Sequence, residues 1–478
     1  MRKPGQSVRL SRRRFLAAAP LALVSQAALF QTAAGQTAPF QPKVPQGTTA
    51  GKVTKTERTD VVVIGAGISG LALARAVAGK GAKVIVLEAR DRIGGRIWTH
   101  AGLGVPLDLG ASTIRGVSAN PITQLAREFR LEVTPINTNN RWRFRNNGSY
   151  VRGDDAIDTQ FETLINAVVA IRERRQSEGK PDAPLQQGLE AAYGNKAIPS
   201  ALNYVIHTNI EQEYGADTSQ LSLYHYDDNE TFNGADVVFP KGLSQVAANV
   251  GLGQDVRLST PVQRIELKPH GVRVITANGD FEAPHVAITL PLGVLKANTV
   301  PFSPALPPRK LQAIKLLGTG TFNKCYLHFP RSFWPREPDL IDYISDRKGE
   351  WAEWLNVERY LGAPFLAGVS AAAFGVQLEK QTDADIVASA MRTLRGMFGT
   401  NIPDPVNALI TRWNSDPYAR GAFSYMGIGA SGEDNDALAE PVGGRLFFAG
   451  EATSREYPGT VHGAYLSGLH AAERILAA

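Results

Sequence analysis

Three glycines in one short run have the spacing that phosphate binding requires. The run is Gly65-Ala66-Gly67-Ile68-Ser69-Gly70. It follows the apolar stretch 60–64, which predicts a strand buried on both faces of a parallel sheet, and it opens a predicted helix. Gly65 would make the tight turn, Gly67 would let the backbone approach a pyrophosphate, and Gly70 would let helix and strand pack closely. We therefore expect phosphates at the N-terminus of this helix.

An acid and a group of arginines follow at positions that suit a dinucleotide. Glu88 ends a second predicted strand, 83–87, roughly 20 residues after the first glycine, where a carboxylate binds a ribose hydroxyl. The next residues are Arg90-Asp91-Arg92-Ile93-Gly94-Gly95-Arg96. This second glycine turn is flanked by arginines, and Arg96 can pair with phosphate oxygens through two N–H groups. The continuation favours FAD over NAD.

With these motifs the sequence resembles the flavin amine oxidase family, and the resemblance extends from Thr59 to the end of the chain. The run 108–113, Asp-Leu-Gly-Ala-Ser-Thr, is similar to the family's segment that lies along the isoalloxazine ring. Thr260-Pro261-Val262 is similar to the turn whose backbone at Val262 meets the adenine. The runs 448–453 and 457–464 are similar to the family's C-terminal flavin motif.

The resemblance also implies where individual residues meet the cofactor. Glu451 is expected near the ribityl chain, and Thr460 and Val461 are expected to direct a helix N-terminus toward the negative edge of the flavin ring. The expected FAD-binding residues are Gly65, Gly67, Ser69, Gly70, Glu88, Arg90, Gly95, Arg96, Ser112, Thr113, Val262, Glu451, Thr460 and Val461.

A strand predicted over 321–329 carries the main catalytic candidate. A period of two places Phe322, Lys324, Tyr326 and His328 on one face and mostly apolar residues on the other. Taken alone, a lysine on a strand is usually exposed to solvent. The resemblance implies instead that Lys324 holds a water at flavin N5 and assists flavin reoxidation or imine hydrolysis.

Two further catalytic candidates come from the C-terminal third of the chain. The run 413–425 closely resembles the polyamine oxidase and lysine-specific histone demethylase branch of the family. Phe423 occupies a position where the family often has one wall of an aromatic cage around the substrate. The opposite wall, a tyrosine in monoamine oxidases, matches Thr460 here. The alternative for Phe423 is a place in the apolar core.

The single cysteine limits how the flavin and any metal could be held. Monoamine oxidases attach their flavin through a cysteine near the aromatic wall, and this chain has none there. Its one cysteine, Cys325, would face away from Lys324, so we expect non-covalent FAD. One cysteine also excludes an intramolecular disulfide and any multi-cysteine metal site, and we expect no metal.

The candidate substrate residues have opposite charges. Asp227 and Glu230, in an acidic run, could bind a distal ammonium, although a solvated acidic loop is an equally good interpretation. Arg115 stands where plant polyamine oxidases carry a substrate-binding glutamate. This reversal of charge disfavours a polyamine and admits an amine that bears a carboxylate. Phe423 completes the set of candidate substrate contacts.

Three functions remain open from the sequence. The first is FAD-dependent oxidation of a small-molecule amine to an imine and then an aldehyde, by hydride transfer to flavin N5, with oxygen or a periplasmic acceptor reoxidising the flavin. The second keeps the fold but acts as an amino-acid oxidase or a flavin-dependent desaturase. The third is a flavin-bearing binding or electron-transfer protein without turnover, which the Lys324 strand argues against.

These residues require an α/β fold that brings distant segments together. We expect a Rossmann-type FAD-binding domain formed by 59–120, 241–294 and 414–478. It would be interleaved with an α+β substrate domain, a mixed antiparallel sheet plus helices, formed by 121–240 and 295–413. Apolar residues at helical spacing predict that 121–221 is helical.

The first 38 residues have the features of a twin-arginine signal peptide, and 39–58 resemble a linker. Arg12, Arg13 and four other basic residues lie within the first 14, and an uncharged stretch rich in Ala and Leu follows. Without these six charges the formal net charge of +6 falls to zero, so nothing in the charge favours nucleic acid. We expect folded export by the twin-arginine machinery to the periplasm, without a permanent membrane anchor.

Overall fold

The computed structural model describes residues 56–145, 148–152 and 155–478. The expected signal peptide and nearly all of the linker lie outside the described residues. None of the helices within the described ranges combines the length and the apolar character of a membrane span.

A five-stranded parallel sheet carries the glycine turn. Its strands, in spatial order, are Val256–Arg257, Val84–Leu87, Val61–Ile64, His285–Ile288 and Leu446–Phe448. All four residues of Val61–Ile64 are buried. Val61 and Val63 belong to one apolar cluster, while Val62 and Ile64 belong to another, so the sheet has a core on each face. This burial confirms the strand predicted from the apolar run.

A second sheet of five strands is mixed. Its strands, in spatial order, are Thr56–Arg58, Gly279–Ala283, Gly271–Thr276, Val262–Lys268 and Phe302–Ser303. The first and last pairs are parallel and the two inner pairs are antiparallel. The tight turn between the antiparallel strands contains Asn278, with Thr276 paired to Gly279.

The largest sheet has seven strands and carries Lys324. Its strands, in spatial order, are Asn407–Ile410, Phe322–His328, Phe365–Ala371, Glu353–Asn356, Leu340–Ile344, Arg141–Arg145 and Tyr150–Arg152. Only the pair formed by Leu340–Ile344 and Arg141–Arg145 is parallel. Three small sheets consist of Thr113–Ile114, Asp236–Val238 and Thr134–Ile136; of Gly318–Thr319 and Ser424–Tyr425; and of Thr99–His100 and Leu107–Asp108.

Helices flank the sheets. They are Ile68–Ala78, Pro121–Glu128, Asp155–Ser177, Leu185–Ala192, Ser200–Ile206, Gln212–Tyr214, Ser244–Val250, Leu292–Ala297, Pro308–Leu316, Glu358–Leu361, Ala372–Leu378, Asp383–Phe398, Gly432–Ala439 and Val461–Leu476, with a π-helix at His207–Glu211 and a 3-10 turn at Glu451–Thr453. Ile68–Ala78 packs against Val461–Leu476, which brings the glycine turn beside the C-terminal flavin motif.

The prediction that 121–221 is helical was correct for the helices of this stretch and wrong for three strands. The strands Thr134–Ile136, Arg141–Arg145 and Tyr150–Arg152 lie inside this stretch. Arg141–Arg145 has an arginine at every second position and pairs with Leu340–Ile344, about 200 residues away. Its stabilisation comes from that distant partner and not from a local hydrophobic period, so a scan of helical spacing misses it.

The five strands of the parallel sheet lie within the segments predicted for the FAD-binding domain, and the seven strands of the largest sheet lie within those predicted for the substrate domain. Phe302–Ser303 crosses this division, since it pairs with Val262–Lys268. Thr56–Ala478 forms one compact unit. The exact division into domains stays a prediction.

Candidate functional site

The glycine turn has the shape that a pyrophosphate needs. Gly65 has φ +107°, a conformation that other residues rarely adopt, and its backbone N donates to Leu87 O at 2.8 Å. A Cβ added at Gly70 would lie 2.0 Å from the carbonyl O of Gly65, so only glycine allows this packing. A Cβ added at Gly67 would meet nothing within 4 Å. The open space above Gly67, at the start of the helix Ile68–Ala78, can receive a phosphate.

Glu88 holds the turn and the arginine loop together. Its buried carboxylate accepts from the backbone N of Ala66 at 2.8 Å and from the backbone N of Arg90 at 2.9 Å. The backbone N of Thr260 donates to the carbonyl O of Glu88 at 2.8 Å, which brings the turn before Val262 to the same place. These contacts bring Glu88 and Val262, the two expected adenosine contacts, to the same end of the parallel sheet.

The arginine loop 90–96 lies over the glycine turn. The backbone N of Gly94 donates to the carbonyl O of Ala66 at 2.8 Å, and a Cβ at Gly95 would lie 3.4 Å from the Cα of Gly67. Within this loop, Nη2 of Arg92 is buried and has no hydrogen-bond partner among the described residues. Burial and the neighbouring Arg90 charge lower the pKa of Arg92 to about 10. An excess of positive charge here fits an anionic pyrophosphate.

Glu451 organises the C-terminal flavin motif. Its buried carboxylate accepts from Nη1 of Arg96 at 2.9 Å, from Oγ of Ser424 at 2.6 Å and from the backbone N of Gly459 at 2.8 Å. Arg96, Glu451 and the open position at Gly450 line a pocket. The pocket lies at the carboxyl ends of two neighbouring parallel strands, where such sheets bind ligands.

Thr460 begins the helix Val461–Leu476. Its Oγ1 accepts from the backbone N of Gly463 at 2.9 Å and donates to the carbonyl O of Tyr457 at 2.8 Å. Capping by the side chain leaves the backbone N–H groups at Val461 and its neighbour as the positive end of the helix. Ser69, in contrast, places its hydroxyl 3.3 Å from the Ser467 hydroxyl, in the contact between two helices.

The ammonium group of Lys324 is buried and fully engaged. Nζ donates to the carbonyl O of Asp108 at 2.9 Å, to the carbonyl O of Gly110 at 2.8 Å and to Oγ of Ser112 at 2.9 Å. Tyr326, two residues along the strand, also donates to the Asp108 carbonyl, at 2.8 Å. The predicted period of two is therefore correct. Lys324 faces the segment that the resemblance places along the isoalloxazine ring.

Burial changes the pKa of both charged groups at this contact. It lowers the pKa of Lys324 from 10.5 to about 8, and the Asp108 carboxylate opposes this shift. It raises the pKa of Asp108 from 3.8 to about 6, against the hydrogen bond from Thr99, the charge of Lys324 and the backbone N of Leu243. Both groups therefore titrate closer to neutrality than their ordinary values allow.

Phe423 lies beside Gly459, next in the chain to Thr460. A Cβ added at Gly459, the neighbour of Thr460, would lie 3.6 Å from Cδ2 of Phe423. The Phe423 ring centroid is 6.1 Å from that of Phe322, which shares a strand face with Lys324. Phe423 is half-buried. The geometry is compatible with a role at the substrate, and that role stays a prediction.

Arg115 does not present a free positive charge. It forms an ion pair with Glu213, and its pKa is raised chiefly by the Glu213 charge and further by the charges of Asp236 and Glu353. The Arg115 side chain is exposed over about half of its surface. The expectation that Arg115 disfavours a cationic substrate depended on an unbalanced charge, and these three carboxylates weaken that argument.

The two acidic candidates have different surroundings. Asp227 accepts from Nη1 of Arg172 at 2.6 Å, so a substrate ammonium would compete with an existing ion pair. Glu230 has an exposed side chain, and its backbone N donates to the carbonyl O of Glu456. This bond joins the acidic run to the segment before Thr460. The ammonium-binding role of both residues stays a prediction.

Glu213 was not singled out by sequence, and His462 has surroundings that the sequence did not show. Glu213 lies in a stretch whose only visible signal was helical spacing. His462 is buried against Phe232 and Tyr457, with ring centroids 5.1 Å from each, and its Nε2 has no partner among the described residues. Burial lowers the pKa of His462 to about 4, so it is neutral at physiological pH. His462 lies within the C-terminal flavin motif, 457–464, which suits a structural or flavin-adjacent residue.

Within the described ranges, no group of three or more His, Cys, Asp or Glu side chains could hold a metal ion. Cys325 is buried on the opposite face of the strand from Lys324, in an apolar cluster with Leu327 and Phe329. The open glycine positions, the arginine loop and the pocket between Arg96 and Glu451 fit FAD.

Comparison with protein families gives one match over most of the chain. The sequence profile of the flavin containing amine oxidoreductases matches residues 68–476. The profile of the alanine dehydrogenase/PNT C-terminal domain matches only residues 31–98, which include the glycine turn.

Known proteins support the same assignment. Lysine-specific histone demethylase 1 homolog 1 of Arabidopsis thaliana is 34% identical in an alignment of 450 residues that covers 88% of this chain and 52% of that protein. Lysine-specific histone demethylase 2 of Homo sapiens is 32% identical in an alignment of 440 residues that covers 87% of this chain and 53% of that protein. The chain thus spans about half the length of these relatives. A structure of putrescine oxidase bound to putrescine matches with a TM-score of 0.74 and 20% identity, over 89% of this chain and all of that one, which shows a shared fold.

Proposed function

Because the chain belongs to the flavin containing amine oxidoreductase family, we propose that it uses non-covalently bound FAD to oxidise a small-molecule amine to an imine. The imine then reacts with water to give an aldehyde and ammonia or a shorter amine. The observation that carries this proposal is the buried ammonium of Lys324, held against the segment 108–112 by three hydrogen bonds.

The cofactor, when bound, accepts the two electrons and the hydrogen that leave the carbon next to the amine nitrogen. The chain supplies binding and orientation. The glycine turn and the arginine loop bind the pyrophosphate, Glu88 binds the adenosine ribose, and Glu451 fixes Arg96 beside them. Phe423 and Phe322 supply an apolar wall near Thr460 that excludes water and orients the substrate.

Lys324 can use its charge and its proton to assist the reactions at the flavin ring. With a pKa of about 8, it is mostly an ammonium at neutral pH and can still release a proton. An ammonium stabilises negative charge that develops on an oxygen acceptor. It can hold a water for imine hydrolysis when that water replaces one of its three present acceptors. A fixed, desolvated cation serves both roles better than one exposed to solvent.

The substrate class depends on the pair Arg115–Glu213. Since the Glu213 carboxylate compensates the guanidinium, an amine without a carboxylate can be accommodated beside it. The alternative is an α-amino acid whose carboxylate displaces Glu213 from Arg115, which would make the protein an amino-acid oxidase. The half-exposed side chain of Arg115 is the observation that keeps this alternative open.

Anaerobic reduction of the flavin tests the proposal. The purified protein is mixed without oxygen with monoamines, polyamines and α-amino acids in turn, and the visible flavin absorbance is followed. Bleaching by an amine supports the proposal, bleaching by α-amino acids alone supports the alternative, and no bleaching by any of them contradicts both. Oxygen is then admitted to the reduced protein. Peroxide formation indicates an oxidase, and slow reoxidation indicates another acceptor.

We also propose that the protein is exported, folded and loaded with FAD, to the periplasm through the twin-arginine machinery. The support is the sequence 11–16, Ser-Arg-Arg-Arg-Phe-Leu, followed by an uncharged stretch. A cofactor that must be inserted before export gives a physical reason for a route that carries folded proteins.

A further inference from the structure

Resting on the function proposed above, we infer that Asp108 is a positioning residue for Lys324. Its side chain fixes the segment that receives the lysine, and its negative charge keeps the lysine in the ammonium form. The inference starts from the contacts of the Asp108 carboxylate, which the proposed chemistry does not itself use.

The side chain of Asp108 attaches the segment to two other parts of the chain. Oδ1 accepts from Oγ1 of Thr99 at 2.5 Å and from the backbone N of Leu243 at 3.0 Å. Thr99 and Ser244 exchange two further hydrogen bonds, at 2.8 Å and 3.0 Å. The strand Leu107–Asp108 is thereby attached both to its partner strand and to the start of the helix Ser244–Val250.

The same residue meets Lys324 through its backbone. The carbonyl O of Asp108 accepts from Nζ of Lys324 and from the phenol of Tyr326. The lysine's other two bonds go to Gly110 and Ser112, immediately downstream. All three donors of the ammonium therefore depend on the conformation that the Asp108 side chain fixes.

The charge of Asp108 acts on the same lysine. Burial lowers the pKa of Lys324, and Asp108 is the charged group that raises it again. The other side chains around the pair carry no charge near neutrality: Ser112 and Thr411 are hydroxyls, and burial raises the pKa of the Tyr326 and Tyr360 phenols. Loss of the Asp108 charge should therefore lower the pKa of Lys324 further.

The test compares Asp108→Asn with Thr99→Val. Both remove or weaken the bond between Thr99 and residue 108, but only Asp108→Asn removes the charge. In the wild-type protein, the rate of reoxidation by oxygen should fall as pH rises through about 8, as Lys324 loses its proton. In Asp108→Asn the midpoint of this fall should move to lower pH by about one unit, the effect of one lost charge at short range. In Thr99→Val the midpoint should stay at the wild-type pH.

Stability gives a second readout that does not depend on activity. Lys324 has a lower pKa folded than unfolded, so the folded state binds fewer protons and stability should rise with pH from about 8 to 10.5, relative to Lys324→Met. In an Asp108→Asn background this rise should begin at lower pH. The titration of Asp108 itself lies between 3.8 and about 6, below this window. If Asp108→Asn does not fold, Lys324→Met decides, because the attraction between the two charges is mutual. Loss of the lysine charge should raise the pKa of Asp108 above about 6, so the acid part of the stability curve should move to higher pH, and an unchanged acid part contradicts the inference.

The inference and the proposed function fail in different ways. A flavin that no amine bleaches contradicts the proposed function. Bleaching by an amine, together with the same pH midpoint in Asp108→Asn and wild type, contradicts the inference alone. An equal shift in Thr99→Val also contradicts it, because the effect would then come from packing rather than from charge.

Discussion

Lys324 and Cys325 are neighbours in the chain and lie in opposite surroundings. Lys324 places its ammonium among two carbonyls and a hydroxyl, while Cys325 lies in an apolar cluster. The alternation of a strand is sufficient to predict this difference. The contact of Arg115 with Glu213 could not be predicted, because the two residues are 98 positions apart and only the fold brings them together.

Replacing Lys324 by methionine should slow amine turnover or flavin reoxidation by at least about ten-fold, because the only ammonium at the segment 108–112 in the described structure is lost. Cys325→Ala is the matched control on the same strand. It should keep near-normal rates, and its flavin should remain extractable by acid precipitation as in the wild type. Steady-state and stopped-flow kinetics measure the rates. Normal rates in Lys324→Met would contradict the role given to the lysine.

At the scale of elements, the strand, turn and helix around Gly65 were predicted closely because each carries a local signal. The buried strand Val61–Ile64 is a continuous apolar run, and the glycines have defined positions. The strand Arg141–Arg145 was missed, because its alternating arginines and aromatics form a strand by pairing with the distant strand Leu340–Ile344. The helix Asp383–Phe398 begins with a side-chain cap at Thr382, which is also a local signal.

Two alanine substitutions in the glycine turn should have different effects. In Gly70→Ala the new Cβ would lie 2.0 Å from the carbonyl O of Gly65, so backbone must shift and the protein should lose stability. In Gly67→Ala the Cβ enters open space, so the apoprotein should keep its stability and bind FAD more weakly. Urea unfolding of apoprotein and FAD titration separate the two. Equal FAD affinity in Gly67→Ala and wild type would contradict the phosphate site.

At the scale of the whole molecule, the parallel sheet brings segments from both ends of the chain to one edge. Residues near Gly65 and Glu451 meet there because their strands run parallel and end together. The turn before Val262 follows the edge strand Val256–Arg257 of the same sheet. The fold class and this arrangement follow from the motifs in the sequence, and the match to residues 68–476 supports them. How the seven-stranded sheet pairs its distant strands was not accessible from local patterns.

Export can be tested with the full chain in a bacterial host. Replacing Arg12 and Arg13 together by lysine should leave the protein in the cytoplasm, because the twin-arginine pathway recognises this pair. Arg9→Lys, outside the pair, is the control and should not affect export. Immunoblots of periplasmic and cytoplasmic fractions measure the outcome. Undiminished periplasmic protein in the double variant would contradict the assigned route.

The central claim is that this fold holds FAD beside Lys324 and that this FAD accepts electrons from an amine. The most direct measurement is the visible spectrum of the protein purified without refolding, before and after anaerobic addition of the amine that bleaches it best. The account predicts a yellow protein whose flavin the amine reduces. One molecule of the corresponding aldehyde should be released for each flavin reduced. A colourless protein that takes up no added FAD, or a bound flavin that no amine reduces, would contradict it.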